Sequence, residues 1–156
     1  MEIESGKEIK FENVASFRMN MKESEIQKLV VEFINHLNKM GTKKSGPMIT
    51  AIFGVEAISD EKMLDMEFLI PIDRKVELNA PYTFKRIFHL VNAVHTRYKG
   101  KPNDIQTAYD EITYFIQKNQ MHQITVAYNV NVNDDKTQSS EVPIIDVYVG
   151  VNASCL

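Results

Sequence analysis

The chain has 156 residues, of which 44% are hydrophobic and 25% are charged, a combination typical of one domain with one sizeable core. Its formal net charge of −3 and its dispersed Lys and Arg residues give no basic footprint for nucleic acid. We therefore expect a single domain over residues 1–156 with no direct nucleic-acid partner.

The N-terminal sequence and the cysteine content bear on the compartment. The first residues, MEIESGKEIKFE, are polar and acidic, unlike a signal peptide, and no segment approaches the roughly 20 apolar residues of a membrane span. The single cysteine, Cys155, allows no internal disulfide and no metal site of paired thiolates, and we expect it to be incidental. The sequence thus predicts a cytoplasmic protein with no membrane partner, no metal site and no cofactor.

A strand and a helix open the predicted fold. The pattern of residues 14–21 predicts a strand, and a helix follows from Ser24 to Met40 because apolar residues recur there at spacings of three and four. Ser24 and Gln27 have the spacing of a capping box at the start of this helix. The apolar stripe consists of Ile26, Leu29, Val30, Phe33, Ile34 and Leu37.

The middle of the chain predicts three strands. MITAIFGVEA (48–57) and MLDMEFLIPI (63–72) are rich in residues that favour strands, and the polar ISDEK segment between them predicts the turn of a hairpin. After a loop around residues 78–81, a long strand is predicted to end in HTRYKG, at Gly100.

The last third of the chain predicts a second helix and a second hairpin. The helix runs from about Asp104 to Lys118, after Pro102, with Asn103 as its candidate cap. ITVAYNVNV (124–132) and VPIIDVYVGV (142–151) then alternate apolar with polar residues, as half-buried strands do. The hydrophilic segment NDDKTQSSE between them predicts the hairpin loop.

The order strand, helix, strand, strand occurs twice, at about residues 11–72 and 82–151, which indicates an internal duplication. Setting MEFLIPI against IDVYVGV places Glu67 opposite Asp146. We therefore predict an α+β fold: a duplicated strand-helix-strand-strand unit, an antiparallel sheet, two helices packed on one face and a cleft between the repeats. Ligands commonly occupy such concave seams.

Two segments carry a resemblance to a known family. The run RYKGKPNDIQTAYDEITYFIQKN resembles the strand-Gly-helix passage of the gyrase-inhibitor-like small-molecule-binding domains, with Gly100 at the family's glycine. The closing strands are similar as well: VAYNVNV carries Tyr128, and DVYVGV has the form acid-apolar-apolar-apolar-small-Val. The resemblance covers roughly residues 11–151.

This resemblance implies a function. In that family the domain occurs alone or as the effector-binding part of bacterial multidrug-responsive transcription activators, where a buried acid meets cationic or amphipathic ligands between aromatic rings. Asp146 corresponds to the family's acid. The chain departs from the family's longer acid at that place, from its Pro-Val ending (here Gly150 and Val151) and from its tryptophan on the second helix, since it contains no tryptophan. The residues before Phe11 are too few for a helix-turn-helix unit, so we expect a stand-alone effector-binding domain.

Five residues are candidate ligand contacts. Asp146 and Glu67 would bind the positive charge of a ligand, and aromatic rings would stack on it. The rings are those of Tyr128, Tyr148 and Phe53. The alternative is structural, because acids on strands usually face water and half-buried strands are rich in aromatic residues.

Three functional hypotheses follow. The leading one is non-catalytic binding of a small amphipathic or cationic molecule in the predicted cleft. The second is an adaptor module that binds a partner protein through the concave sheet face or an exposed edge strand. The third is a small hydrolase using the same cleft, with Glu67 or Asp146 as general base near Tyr128. The four histidines lack metal-ligand spacing and no nucleophile motif is present, so no catalytic residue is predicted.

Overall fold

The computed structural model describes residues 1–134 and 141–152. These residues form six strands and two α-helices, which confirms the predicted α+β class. The elements are β1 (Ile3–Lys22), α1 (Ile26–Lys39), β2 (Ile49–Ile58), β3 (Glu61–Pro71), β4 (Tyr82–Lys99), α2 (Gln106–Lys118), β5 (His122–Asn131) and β6 (Ile144–Asn152). Cys155 and most of the predicted loop between β5 and β6 lie outside the described residues. None of the described helices has the length and apolarity that a membrane crossing requires.

The first strand is longer than predicted. β1 begins at Ile3 rather than at Val14. The first half of the strand is rich in polar residues, so its sequence lacks the apolar pattern that predicts a strand. Gly6 and Asn13 lie within it at φ angles of 68° and 57°, in the left-handed region. Such residues interrupt regular extended backbone, so that one continuous strand contains local irregularities.

Both helices were predicted correctly in position, but the residues predicted to cap them were wrong. The hydroxyl and backbone N–H of Ser24 donate to Oε1 of Glu61 at the start of β3, and do not cap α1. The backbone N–H of Lys22 is instead satisfied by Oε1 of Glu25, at 3.0 Å. Asn103 lies inside a short 3-10 helix that precedes α2, with the chain turning through Pro102.

One compact unit spans Phe11–Phe88. Within it β3 pairs antiparallel with both β1 and β2. α1 packs most of its apolar stripe on one face of these strands, where the rings of Phe17 and Phe33 lie 5.9 Å apart, and Ile34 is exposed. Fully burying a side chain such as that of Phe33 stabilises the fold by about 1.5–3 kcal/mol. The buried cluster consists of Ala15, Phe17, Met21, Phe33, Leu37, Phe68, Ile70 and Ile72.

The other compact unit consists of Met1–Lys10 and His89–Leu156, described as far as residue 152 with the gap given above. Here β6 pairs antiparallel with both β4 and β5. α2 packs on one face of these strands through a second buried cluster. Its members are Val94, Tyr98, Ala108, Ile112, Ile116, Ile145, Val147, Val149 and Val151.

The two units share element order and ladder register. Arg18 stands opposite Glu67 in the β1–β3 ladder, and Arg97 stands opposite Asp146 in the β4–β6 ladder. Residues facing each other across a ladder lie on the same face of a sheet, so each acid has an arginine as its nearest cross-strand neighbour. The internal duplication, the single cooperative domain and the cleft between the repeats stay predictions.

Candidate functional site

Asp146 lies on the face of β6 that is turned away from α2, because its neighbours Ile145 and Val147 pack beneath that helix. It is 8% exposed. Arg97 donates two hydrogen bonds to the carboxylate, from Nε to Oδ1 and from Nη2 to Oδ2, each 2.9 Å long. The Nε2 atom of His95 lies 2.9 Å from Oδ1. Asp146 is therefore held by two neighbouring side chains.

These contacts fix the charge of Asp146. Burial alone would raise the pKa of its carboxyl group, but the hydrogen bonds from Arg97 and His95, with their charges, outweigh burial and hold the pKa well below its ordinary range. The hydrogen bonds to Asp146, and its negative charge, in turn raise the pKa of Arg97. The Nδ1 atom of His95 also lies 3.3 Å from Oε1 of Glu4, so this imidazole bridges two carboxylates. The Asp146 site is a closed network of internal charges.

Tyr148 and Tyr128 lie on the same face as Asp146. The ring of Tyr148 is centred 4.7 Å from that of His95, and burial raises the pKa of its phenol. Tyr128 is the cross-strand partner of Tyr148 in the β5–β6 ladder. The fold thus brings together three of the five candidate residues.

Glu67 lies in the other unit, on the face of β3 turned away from α1, since the adjacent Phe68 packs beneath that helix. It is 4% exposed. The hydroxyl of Ser16 donates a hydrogen bond of 2.5 Å to its Oε2 atom, and Nζ of Lys85 donates one of 2.7 Å to the same oxygen. The Lys85 side chain is 37% exposed. Glu67 is therefore a buried carboxylate that pairs with a lysine whose side chain is partly exposed.

Phe53 contacts a cation of the chain itself. The guanidinium carbon of Arg18 lies 3.7 Å from the centre of the Phe53 ring. Arg18 also donates two hydrogen bonds to Asp65, of 3.0 and 2.9 Å. An acid and an aromatic ring were expected to hold the cation of a ligand. Here Asp65 and Phe53 hold the guanidinium of Arg18 instead.

The side chains that contact the two acids were missed from the sequence. They are Ser16 and Lys85 at Glu67 and His95 and Arg97 at Asp146; Arg18, which contacts Asp65 and Phe53, was missed as well. One signal could have found two of them, because the interval of 79 residues that separates Glu67 from Asp146 also separates Arg18 from Arg97. In the described part of the chain, no three His, Cys, Asp or Glu side chains are grouped so that they could hold a metal ion.

Comparison with known proteins defines the fold. No protein-family model matches the sequence, and no curated protein does. The crystal structure of the EcmrR C-terminal domain matches with a TM-score of 0.77 and 18% identity, over 99% of this chain and 100% of that one. The fold is that of the EcmrR C-terminal domain. The cryo-EM structure of an EcmrR–DNA complex matches with a TM-score of 0.80 and 17% identity over 97% of this chain. The match spans 58% of the EcmrR chain in that complex.

The same fold occurs in a protein described as a hydrolase. The structure of a hydrolase encoded by lin2189 from Listeria innocua matches with a TM-score of 0.57 and 10% identity, over 97% of this chain and 91% of that one. Identities this low carry the fold and no function. The choice between ligand binding and hydrolysis therefore depends on the residues of this chain.

Proposed function

We propose that the chain is an effector-binding domain of the gyrase-inhibitor-like type, which binds a small amphipathic or cationic molecule without converting it. The similarity in fold to the EcmrR C-terminal domain supports this proposal. The observation that carries it is the environment of Glu67, a buried carboxylate paired with one partly exposed lysine.

The Lys85 contact is suited to exchange. A buried charge without a partner is costly, so Glu67 needs a cation at all times. Lys85 meets it through a single point of contact at the end of a flexible chain, and its ammonium group is strongly hydrated once released. A ligand cation can therefore replace it without leaving either charge unpaired. The apolar part of the ligand then adds about 25 cal/mol for each Å² that it removes from water.

The Asp146 contact is not suited to exchange. A ligand would have to break two charge-assisted hydrogen bonds from Arg97 and displace His95 as well. We therefore propose Glu67 as the acid that meets the ligand and Asp146 as a residue that positions His95 and, through it, Tyr148. This assignment differs from that implied by the family resemblance. Ligand contacts by Tyr128, Tyr148 and Phe53 stay predictions.

The protonation of Asp146 bears on the hydrolase alternative. A general base works best when its pKa lies near the working pH, and the lowered pKa of Asp146 makes it a weak base. Both of its oxygens already accept hydrogen bonds from Arg97. The network thus favours a non-catalytic role for this acid.

Fluorescence polarisation with two dyes of one ring frame tests the proposal. Rhodamine 6G is an apolar xanthene cation and fluorescein is a xanthene anion, so the two dyes differ in charge and apolarity, and the Glu67 variant isolates the effect of charge. We expect the purified chain to bind rhodamine 6G in preference to fluorescein. Glu67→Gln should weaken rhodamine binding at least tenfold, whereas Asp146→Asn, if folded by circular dichroism, should change it less than threefold.

One result would count against this function, and another against the choice of Glu67 as its acid. If neither dye nor any other amphipathic cation binds at millimolar concentration, the binding proposal fails. If Asp146→Asn abolishes binding while Glu67→Gln leaves it intact, the binding function stands but its acid is Asp146.

A further inference from the structure

Ser16 is a buried polar side chain in an apolar part of β1. It lies on the sheet face that carries Glu67, and Leu69 stands opposite it in the β1–β3 ladder. Ile49 stands opposite Leu69 in turn, and Val14 precedes Ser16 on the same face. These three apolar neighbours are 0% exposed and Ser16 is 2% exposed. An alanine would fill such a position, and a buried hydroxyl is costly unless it is hydrogen-bonded, so the serine is explained by its bond to Glu67.

Ser16 and Lys85 donate to the same oxygen of Glu67. Oε2 of the glutamate lies 2.5 Å from Oγ of Ser16 and 2.7 Å from Nζ of Lys85. The two donors differ in their freedom to move. The Lys85 side chain is partly exposed and ends a flexible stem, whereas Ser16 has a short side chain that is buried on a strand. The lysine can therefore move into water while the serine keeps its place.

The exchange of Lys85 for a ligand cation thus leaves the hydrogen bond from Ser16 intact. A primary ammonium ligand brings N–H donors of its own to the carboxylate, as lysine does. A quaternary ammonium ligand brings positive charge but no N–H donor. A buried carboxylate that loses a donor and gains none is left with unsatisfied hydrogen-bonding capacity, which is costly. With a quaternary ligand, the hydroxyl of Ser16 still supplies Oε2 with a donor.

We propose that Ser16 is a positioning residue that enables the Glu67 site to take cations without an N–H donor. By the Glu67 site we mean Glu67 with its donors Ser16 and Lys85. Ser16 keeps Oε2 hydrogen-bonded, while the ligand supplies the charge and the apolar surface. This inference rests on the proposed function, because it requires a ligand cation at Glu67. It adds that the effect of removing Ser16 depends on the donors that the ligand itself carries.

Isothermal titration calorimetry at pH 7 with two naphthalene cations tests the inference. 1-Naphthylmethylammonium carries N–H donors, and its trimethylammonium derivative carries none. The unaltered chain should bind both, and E67Q should weaken both at least tenfold. S16A, if folded by circular dichroism, should weaken the trimethyl cation at least tenfold and the primary cation less than threefold. S16C, whose thiol is a weaker donor than a hydroxyl, should show the same preference to a smaller degree.

The matched control is T42V, which removes another buried hydroxyl. Thr42 donates to the backbone carbonyl of Leu37 at the end of α1 and forms no contact with Glu67. We expect T42V to change neither affinity. A loss of binding in T42V equal to that in S16A would show that removal of any buried hydroxyl has this effect, and would overturn the inference.

The ratio of the two affinities separates a failure of this inference from a failure of the proposed function. If S16A weakens both cations by the same factor, weakens the primary cation more, or weakens neither, the role proposed for Ser16 is wrong. Provided that E67Q still weakens both cations, the proposed function then stands without it. If neither cation binds the unaltered chain at millimolar concentration, the proposed function fails and this inference fails with it.

Discussion

The ammonium group of Lys85 lies 2.7 Å from Oε2 of Glu67, whereas Asp146 receives two hydrogen bonds from the guanidinium of Arg97. The two acids hold corresponding positions in ladders of the same register, yet their partners differ in contact geometry. A single flexible ammonium is easier to displace than a two-point guanidinium. We therefore expect Glu67 to exchange its partner for a ligand and Asp146 to keep its partner.

Asp146→Asn should lower stability in a pH-dependent manner. Because the folded state lowers the pKa of Asp146, its ionised form stabilises the fold fully above the unfolded pKa of about 3.9, and this contribution is lost as the pH falls through the folded pKa. We expect a loss of about 1–3 kcal/mol at pH 7. The difference between variant and unaltered chain should shrink progressively below about pH 4. Urea unfolding at several pH values measures both.

Asp65→Asn is the control for this prediction. Asp65 also accepts two hydrogen bonds from an arginine, but that pair is exposed, so its loss should cost less than about 1 kcal/mol. Equal losses for the two variants at pH 7 would show that burial of Asp146 adds nothing.

Gly150→Ala should destabilise the unit that contains β6. A Cβ atom at Gly150 would lie 2.8 Å from Cγ2 and 3.0 Å from Oγ1 of Thr125, which is closer than van der Waals contact allows. The backbone N–H of Gly150 also donates to that Oγ1 atom at 2.8 Å. We expect a loss of about 1–3 kcal/mol in thermal unfolding.

A double-mutant cycle separates the clash from other causes. Thr125→Ala removes both close atoms, so G150A/T125A should be more stable than the sum of the two single losses predicts. Gly54→Ala, where an added Cβ meets nothing within 4 Å, should stay within about 0.5 kcal/mol of the unaltered chain. Additive losses in the cycle would argue against the clash with Thr125.

The two buried clusters test whether the chain is one cooperative domain. Phe33→Ala should cost about 3–5 kcal/mol and Ile112→Ala about 2–5 kcal/mol, because both side chains are fully buried. In a single cooperative domain, each variant should lower amide protection in both compact units by hydrogen exchange. Val31→Ala, at an exposed position of α1, is the control. Loss of protection confined to Phe11–Phe88 in the Phe33 variant would instead show two domains.

The sequence predicted the regular elements because their apolar periodicity is local. The stripe of Ile26 to Leu37 defined α1, and alternation defined β6, before any tertiary contact was known. The first half of β1 could not be found in this way, since polar residues predominate there and strand pairing, rather than composition, makes it extended.

The two acids of the site could be predicted from the sequence, but most of the side chains that contact them could not. Glu67 and Asp146 stood out because they align in a repeated hairpin. The partners of Glu67 come from other strands, with Ser16 51 residues and Lys85 18 residues away, and neither contact is encoded by sequence spacing. Whether an acid is free to meet a ligand depends on these partners.

The measurement that tests the central claim most directly is rhodamine 6G affinity in substitutions of Lys85, measured at pH 8. Lys85→Met keeps the length of the side chain but removes the competing charge, so the dye should bind at least threefold more tightly. Lys85→Arg offers Glu67 a planar, two-point cation and should weaken binding by a similar factor. Equal affinity in all three proteins would contradict the claim that a ligand cation takes the place of Lys85 at Glu67.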